Sequence, residues 1–291
     1  MEYALEVTGL SKKYKEFHLK DVNISLPSGC IMGFIGQNGA GKTTTIQLIL
    51  DIIKGDSGKI NIFGMDHHKD GVAIKEEIGV VFDEMGYHES FTPMQINHMM
   101  KHVYTHWKEE VFFDYLSRFA LPKKQKCGSF SRGMRMKLQI AVALSHEAKL
   151  LIMDEPTSGL DPVVRNEILE IFQEFVVDEE HTIMMSSHMI GDLERIADMI
   201  TFIDRGRILL SGNKDEIIEQ HGMVRCKKED FEKIHSDEFV SSRKSTVGVE
   251  ALVSNRKQFK REHENLLIES ASLEEIFIFY IQRNGKVGDW L

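Results

Sequence analysis

The chain has 291 residues, 42% of them hydrophobic and 28% charged, with a formal net charge of −9 at pH 7. That length buries a substantial core as one large domain or a domain with an appendage, and the acidic balance sets up no global basic field for nucleic acid or anionic lipid. The longest apolar runs, such as LLIM from Leu150, are too short to span a bilayer; Cys30, Cys127 and Cys226 form no C-x-x-C pair and read as reduced cytosolic thiols; and MEYALEV lacks the basic and apolar regions of a signal peptide.

In chain order, β-rich stretches at residues 3–7 and 22–26 lead into the apolar run 30–35, a glycine-rich turn and a helical pattern from 42 to about 53. The loop KGDSGK precedes a short strand at 60–63. Residues from about 84 to 148 read as mostly helical and carry Trp107, Phe112, Phe113, Tyr115 and Leu116. A strand at 149–153, a helix near 164–177 and strands at 182–186 and 199–203 restore the alternation. Strands alternating with helices predict an α/β fold with a mainly parallel sheet. From about Met223 the chain turns to short charged segments, which divides it into a main domain, 1–222, and a small C-terminal appendage, 223–291.

Gly36-Gln37-Asn38-Gly39-Ala40-Gly41-Lys42-Thr43 fits G-x-x-x-x-G-K-[ST] without a mismatch, between an apolar strand and a helix. Glycines let successive backbone N–H groups converge on phosphates where a Cβ would obstruct them. The helix beginning near Lys42 adds its positive end. This assigns Gly36, Asn38, Gly39, Ala40, Gly41, Lys42, Thr43 and Thr44 to a phosphate cradle, with Lys42 on the β- and γ-phosphates and the Thr43 hydroxyl on Mg²⁺.

Leu150-Leu151-Ile152-Met153-Asp154-Glu155 is an apolar strand ending in two acids and stopped by Pro156. Asp154 beside the cradle could hold Mg²⁺ through water, and Glu155 could accept a proton from an attacking water. A solvated strand end fits these two acids equally well when they are taken alone.

They are not alone. Phe130-Ser131-Arg132-Gly133-Met134 precedes them, Ser158-Gly159-Leu160-Asp161 follows, and His188 closes IMMSSH. This ordered set resembles the ABC ATPase family over residues 5–220: phosphate loop, signature motif, acidic strand end, D-loop and switch histidine. The resemblance implies a P-loop NTPase core with an N-terminal antiparallel β subdomain and a helical subdomain at about 84–148. It implies ATP and Mg²⁺ as ligands, and two cassettes pairing head to tail around two nucleotides. Ser131 and Gly133 would then reach the γ-phosphate of the facing cassette, with Asp161 close by. Glu155 and His188 would be catalytic, and Thr43, Asp83 and Asp154 would serve the metal. Tyr14 in LSKKY falls where the family sets a ring against adenine; a packed strand-end tyrosine is the alternative. A capping role for Ser131 is compatible with both.

Three positions depart from the family pattern. Phe130 stands where the signature has leucine, Arg132 stands where it has its first glycine, and Asp83, ending Ile78-Gly79-Val80-Val81-Phe82-Asp83, stands where a glutamine is usual. Asp83 can accept hydrogen bonds or hold metal-bound water but cannot donate as an amide does. The run Ser272-Leu273-Glu274-Glu275-Ile276-Phe277 resembles the tail of cassettes serving bacterial exporters whose membrane subunits are encoded separately. The expected protein is thus an ATPase on the inner face of the cell membrane, bound to a transmembrane exporter subunit and to a second cassette. A soluble family member acting on DNA or ribosomes is disfavoured by the single cassette and by the absence of heptads and cysteine clusters. His98, His102 and His106 would share one helix face, and His67-His68 would sit in a solvated turn.

Overall fold

The computed structural model describes residues 2–246 and 248–284; the last part of the expected appendage, 285–291, lies outside the described residues. Strands β1 (Tyr3–Lys13) and β2 (His18–Pro27) alternate buried and exposed side chains and pair antiparallel. Strand β3 (Ile31–Ile35) is buried on both faces and delivers the chain to α1 (Lys42–Ile49). Next, β4 (Ser57–Ile62) and β5 (Met65–Asp66) return to the first sheet, whose order is β2-β1-β4-β5.

Beyond α2 (Gly71–Glu76) and β6 (Ile78–Val81) come the helices α3 (Pro93–Val103), α4 (Glu109–Arg118) and α5 (Arg132–Ala143). α3 opens with a capping box between Thr92 and Gln95 and with Pro93 in its first turn. Then follow β7 (Leu150–Asp154), α6 (Pro162–Phe175), β8 (Thr182–Ser187), α7 (Ile190–Ile196), β9 (Met199–Asp204) and β10 (Arg207–Asn213). The second sheet runs β10-β9-β3-β8-β7-β6 and is parallel except at its β10 edge, as the alternation predicts.

Both faces of this parallel sheet are covered, so its central strands are buried almost throughout and largely apolar. Along β7 the two faces separate residue by residue. Leu150 and Ile152 join the core under the N-terminal sheet with Phe34 and Ile46, whereas Leu151 and Met153 join the opposite core with Phe112, Ile168 and Phe172.

The helix expected over 42–53 stops at Ile49. Ile52 N–H bonds Gln47 O at 2.9 Å and Asp51 N–H bonds Leu48 O at 3.2 Å, with Asp51 at φ 54°. This is a Schellman ending in which an aspartate takes the left-handed position that glycine usually fills. The stretch expected to be mostly helical contains three helices; residues 84–91 ahead of them and 119–131 between α4 and α5 are irregular apart from one 3₁₀ turn, Cys127–Ser129.

After α8 (Lys214–Gln220) the chain builds β11 (Gly222–Cys226), α9 (Lys228–Phe231), β12 (Ser241–Ser245), β13 (Gly248–Val253), α10 (Arg256–Glu262), β14 (Ile268–Ser270) and α11 (Leu273–Asn284). The strands form an antiparallel sheet, β12-β13-β11-β14. Met223, Leu252, Phe277 and Phe279 join the larger core of the parallel sheet, and the Phe277 ring lies 5.1 Å from that of Phe202 on β9.

Candidate nucleotide site

The glycine-rich loop leaves the end of β3 and turns into α1. A Cβ at Gly36 would meet Ile203 O at 2.7 Å, and Gly39 and Gly41 hold φ of +78° and +114°, so these positions demand glycine for space or for conformation. Lys42 begins α1 and is only 6% exposed; its Nζ curls back under the loop to donate to Gly36 O at 2.7 Å and Gln37 O at 3.3 Å. Ala40 is buried behind the loop.

Strand β7 brings the acids to the same place. Asp154 Oδ2 accepts from Thr43 Oγ1 at 2.6 Å, and Asp154 Oδ1 accepts from Ser186 Oγ at 2.5 Å. The second contact follows from register, because Asp154 on β7 is paired directly with Ser186 on β8. Ser186 Oγ also accepts the Glu155 N–H at 3.1 Å. Glu155 itself has φ 53°, a left-handed conformation that costs a non-glycine residue about 1 kcal/mol and turns its side chain off the strand line.

The Glu155 carboxylate is shared between two neighbours. Oε1 lies 3.0 Å from Lys42 Nζ, as an ion pair without hydrogen-bond alignment, and Oε2 lies 2.7 Å from His188 Nδ1. His188 stands just past the end of β8, so neighbouring parallel strands set the acid and the imidazole side by side.

These groups border a cleft of about 570 Å³ lined by Asn38, Gly39, Gly41, Lys42, Thr43 and Thr44, by Asp154 and Glu155, by Asp83, and by Tyr14 and Phe17. Tyr14 is 43% exposed, with Lys12 Nζ over its ring at 5.7 Å from the centroid; its N–H donates to Phe17 O at 2.7 Å, which closes the turn between β1 and β2.

Ser131, Gly133 and Asp161 lie apart from this cleft. Ser131 caps α5 by accepting from Met134 N–H at 3.2 Å, and Asp161 caps α6 by accepting from Val163 and Val164 N–H, each at 3.1 Å. Gly133 lies within α5, where a Cβ would meet nothing closer than Val164 at 3.5 Å. Asp83 lines the cleft with its carboxylate ion-paired to Arg132.

Sequence reasoning passed over Ser186, Phe17 and Gln139. Gln139 is buried on α5; it accepts from Phe82 N–H at 3.4 Å and donates to Phe82 O at 3.1 Å. A glutamine inside an apolar helical stretch was the available signal. His106 falls beyond the end of α3, so the three histidines do not share that helix, and His67 is buried, with its ring 3.9 Å from that of His68. Burial holds the His67 imidazole below its ordinary pKa, with the neighbouring His68 adding to the effect.

Comparison with known proteins accords with this geometry. The profile described as ABC transporter matches residues 19–158. The bacitracin transport ATP-binding protein BcrA of Bacillus licheniformis is 34% identical over 72% of this chain and 69% of its own length. The lantibiotic transport ATP-binding protein SrtF of Streptococcus pyogenes is 34% identical over 72% of this chain and 91% of its own. Among solved structures, an ATP-binding subunit of an ABC transporter superposes with a TM-score of 0.67 at 27% identity, covering 75% of this chain and 92% of that one. A dimeric cassette bound to ADP and Pi shares the fold, with a TM-score of 0.65 at 20% identity, 72% of this chain and 98% of that one. The chain belongs to the ABC transporter family, as an ATP-binding subunit with ATPase activity that serves transport.

Proposed function

We propose that this subunit binds Mg-ATP in the cleft at the end of β3 and hydrolyses it to drive a transmembrane exporter, working as a pair of cassettes on the cytoplasmic face of the membrane. The observation that carries the reading is the Glu155 carboxylate, held between Lys42 and His188 beside the Thr43–Asp154 contact.

Each group has a task in phosphoryl transfer. The backbone N–H groups from Gly39 to Thr44, with the Lys42 ammonium, hold the phosphates, and Tyr14 stacks on the adenine. Glu155 accepts the proton of the attacking water, and His188 fixes the carboxylate that does so. Thr43 Oγ1 and Asp154 Oδ2 are hard oxygens 2.6 Å apart beside the phosphate loop, a donor set suited to Mg²⁺, which takes few protein ligands and keeps several waters. Bound there, Mg²⁺ would neutralise phosphate charge; Asp83 is the further acid within reach of its hydration shell.

A second cassette, most simply another copy of this chain, supplies what one cleft lacks. Ser131, Gly133 and Asp161 stand apart from the cleft, and Gly133 has intramolecular room for a side chain. A glycine that its own chain does not require is accounted for by the close approach of a ligand held elsewhere. Export is supported by relatives whose names specify bacitracin transport, lantibiotic transport and linearmycin resistance. No helix among the described residues is long and apolar enough to cross a bilayer, and the export reading assigns that task to a separate membrane subunit. Exposed Ile52, Val72 and Val103 border an apolar cleft of about 470 Å³ that offers such a subunit a docking surface. In this scheme residues 1–222 form the cassette and 223–291 its appendage.

The test is phosphate release by the purified full chain, titrated with ATP and Mg²⁺. Mg²⁺-dependent turnover that is lost on chelation is the expected result; ATP left intact at saturating Mg²⁺ would overturn the reading.

A further inference from the structure

Two of the positions at which the sequence leaves the family pattern meet in space. Arg132, the first residue of α5, and Asp83, two residues past β6, are 49 positions apart in the chain, and their side chains form a direct ion pair. The guanidinium also covers Gly159, where a Cβ would approach it to 2.9 Å. Asp83 therefore stands on the wall of the nucleotide cleft and also on that of a second cleft, about 610 Å³, which holds Arg132. Two turns along α5, the buried Gln139 clamps the backbone of Phe82, so the helix is fastened to this wall by an amide clamp and an ion pair together.

The pair is 48% and 49% exposed. An ion pair in water at that exposure adds little to folding stability, so stability alone is a poor reason for it. The cleft supplies a better one. A lone carboxylate on the wall of a site for a triphosphate repels the ligand, and a guanidinium beside it cancels that field. The same guanidinium lies one residue from the Ser131 N-cap, at a helix end that already favours anions.

We propose that Arg132 and Asp83 exchange partners when Mg-ATP binds. Asp83 passes from the guanidinium to the hydrated cation at Thr43 and Asp154. Arg132, released, turns to the terminal phosphate presented by a facing cassette, which a planar guanidinium grips at two oxygens where an ammonium acts as a point charge. No bond is made or broken; the exchange ties nucleotide loading in one cleft to readiness of the signature helix. It rests on the reading of the chain as a dimerising ATPase.

The experiment uses the full chain carrying Glu155→Gln and reads dimer formation by gel filtration against ATP and against Mg²⁺. Arg132→Gln should raise the ATP midpoint about ten-fold, with Arg132→Lys between it and the parent. Arg132→Gln should also lower the Mg²⁺ midpoint, because Asp83 loses its competing partner, whereas Asp83→Asn should raise it. Combined with Asp83→Asn, Arg132→Gln should no longer move the Mg²⁺ midpoint at all. Additive Mg²⁺ shifts, or midpoints in Arg132→Gln within about two-fold of the parent, would overturn the exchange while leaving the dimerising ATPase intact. A Glu155→Gln parent that stays monomeric at saturating ATP and Mg²⁺ would remove the underlying reading, and this one with it.

Discussion

Lys42 and Glu155 form one ion pair at the floor of the cleft, 3.0 Å apart and with side chains only 6% and 14% exposed. The cation of the phosphate loop and the acid proposed as base therefore occupy each other. A triphosphate entering the loop competes for the ammonium, and only when Lys42 turns to phosphate does Glu155 keep His188 as its sole side-chain partner. Loading the site and unmasking the base become a single event.

Lys42→Ala should abolish tight binding. Charge-assisted hydrogen bonds of the kind lost are worth about 1.5–3 kcal/mol, roughly a 10- to 150-fold weaker affinity. Calorimetry with ATP and Mg²⁺ reads this directly; an unchanged affinity would contradict the role given to the loop lysine.

Glu155→Gln should separate binding from turnover. The amide keeps the shape and the reach to His188 but accepts no proton, so phosphate release should fall by about 10²–10⁴-fold. ATP should still bind and hold two cassettes together, visible as an earlier-eluting peak. Wild-type hydrolysis in this variant would sink the assignment.

Ser186→Ala tests a residue that no motif marks. Its hydroxyl donates to Asp154 and receives the Glu155 N–H, so it orients one acid and the turn bearing the other. Losing such an outer partner typically weakens metal binding about 10- to 100-fold. The Mg²⁺ midpoint of phosphate release should rise accordingly, and saturating Mg²⁺ should restore most of the rate. A fixed midpoint with a lowered maximal rate would place Ser186 in the turnover step instead.

Acid should loosen the fold before its carboxylates titrate. Burial holds the imidazoles of His67, His146 and His221 below their ordinary pKa, so each stays neutral when folded but takes a proton when unfolded. Above the unfolded value of about 6.5 the two states bind protons alike and these groups do not affect stability. As pH falls below it, the unfolded chain binds more protons and stability drops, until the folded values are passed. The melting temperature should therefore fall between pH 7.5 and 5.5, and His146→Gln, although less stable at pH 7.5, should show a smaller fall. An equal fall in that variant would remove His146 from the account.

Much of the site was legible in the sequence because its parts are local. The phosphate loop, the acids at the end of β7 and the histidine past β8 each announce themselves within a few residues. The parallel sheet was legible too, through the alternation of apolar runs with helical patterns. What stayed hidden depends on pairing across long separations. Ser186 meets Asp154 only because β8 and β7 take one register, and Arg132 meets Asp83 only after three helices have packed. The C-terminal sheet was obscure for another reason: in β12, SSRKS, every residue is at least partly exposed, so no apolar alternation signals a strand. The early end of α1 escaped because an aspartate, not a glycine, takes the left-handed turn.

Beyond the change of composition near Met223 the chain has a small core of its own, with Val224, Val253 and Phe259, yet it also packs against the parallel sheet. Phe277 and Phe279 of α11 sit in the same core as Phe202 of β9, and β9 is hydrogen-bonded to β3, which carries the phosphate loop. Each large side chain removed from that core forfeits about 1.5–3 kcal/mol of burial, against a total stability of about 5–15 kcal/mol for a typical domain. Trimming the chain at residue 222 would thus strip an apolar wall from behind the motor, and the shortened protein should clump or be digested rather than turn over more freely. The tail behaves as a keystone: whatever else it touches in the cell, any tug on α11 is felt one strand away from the phosphates.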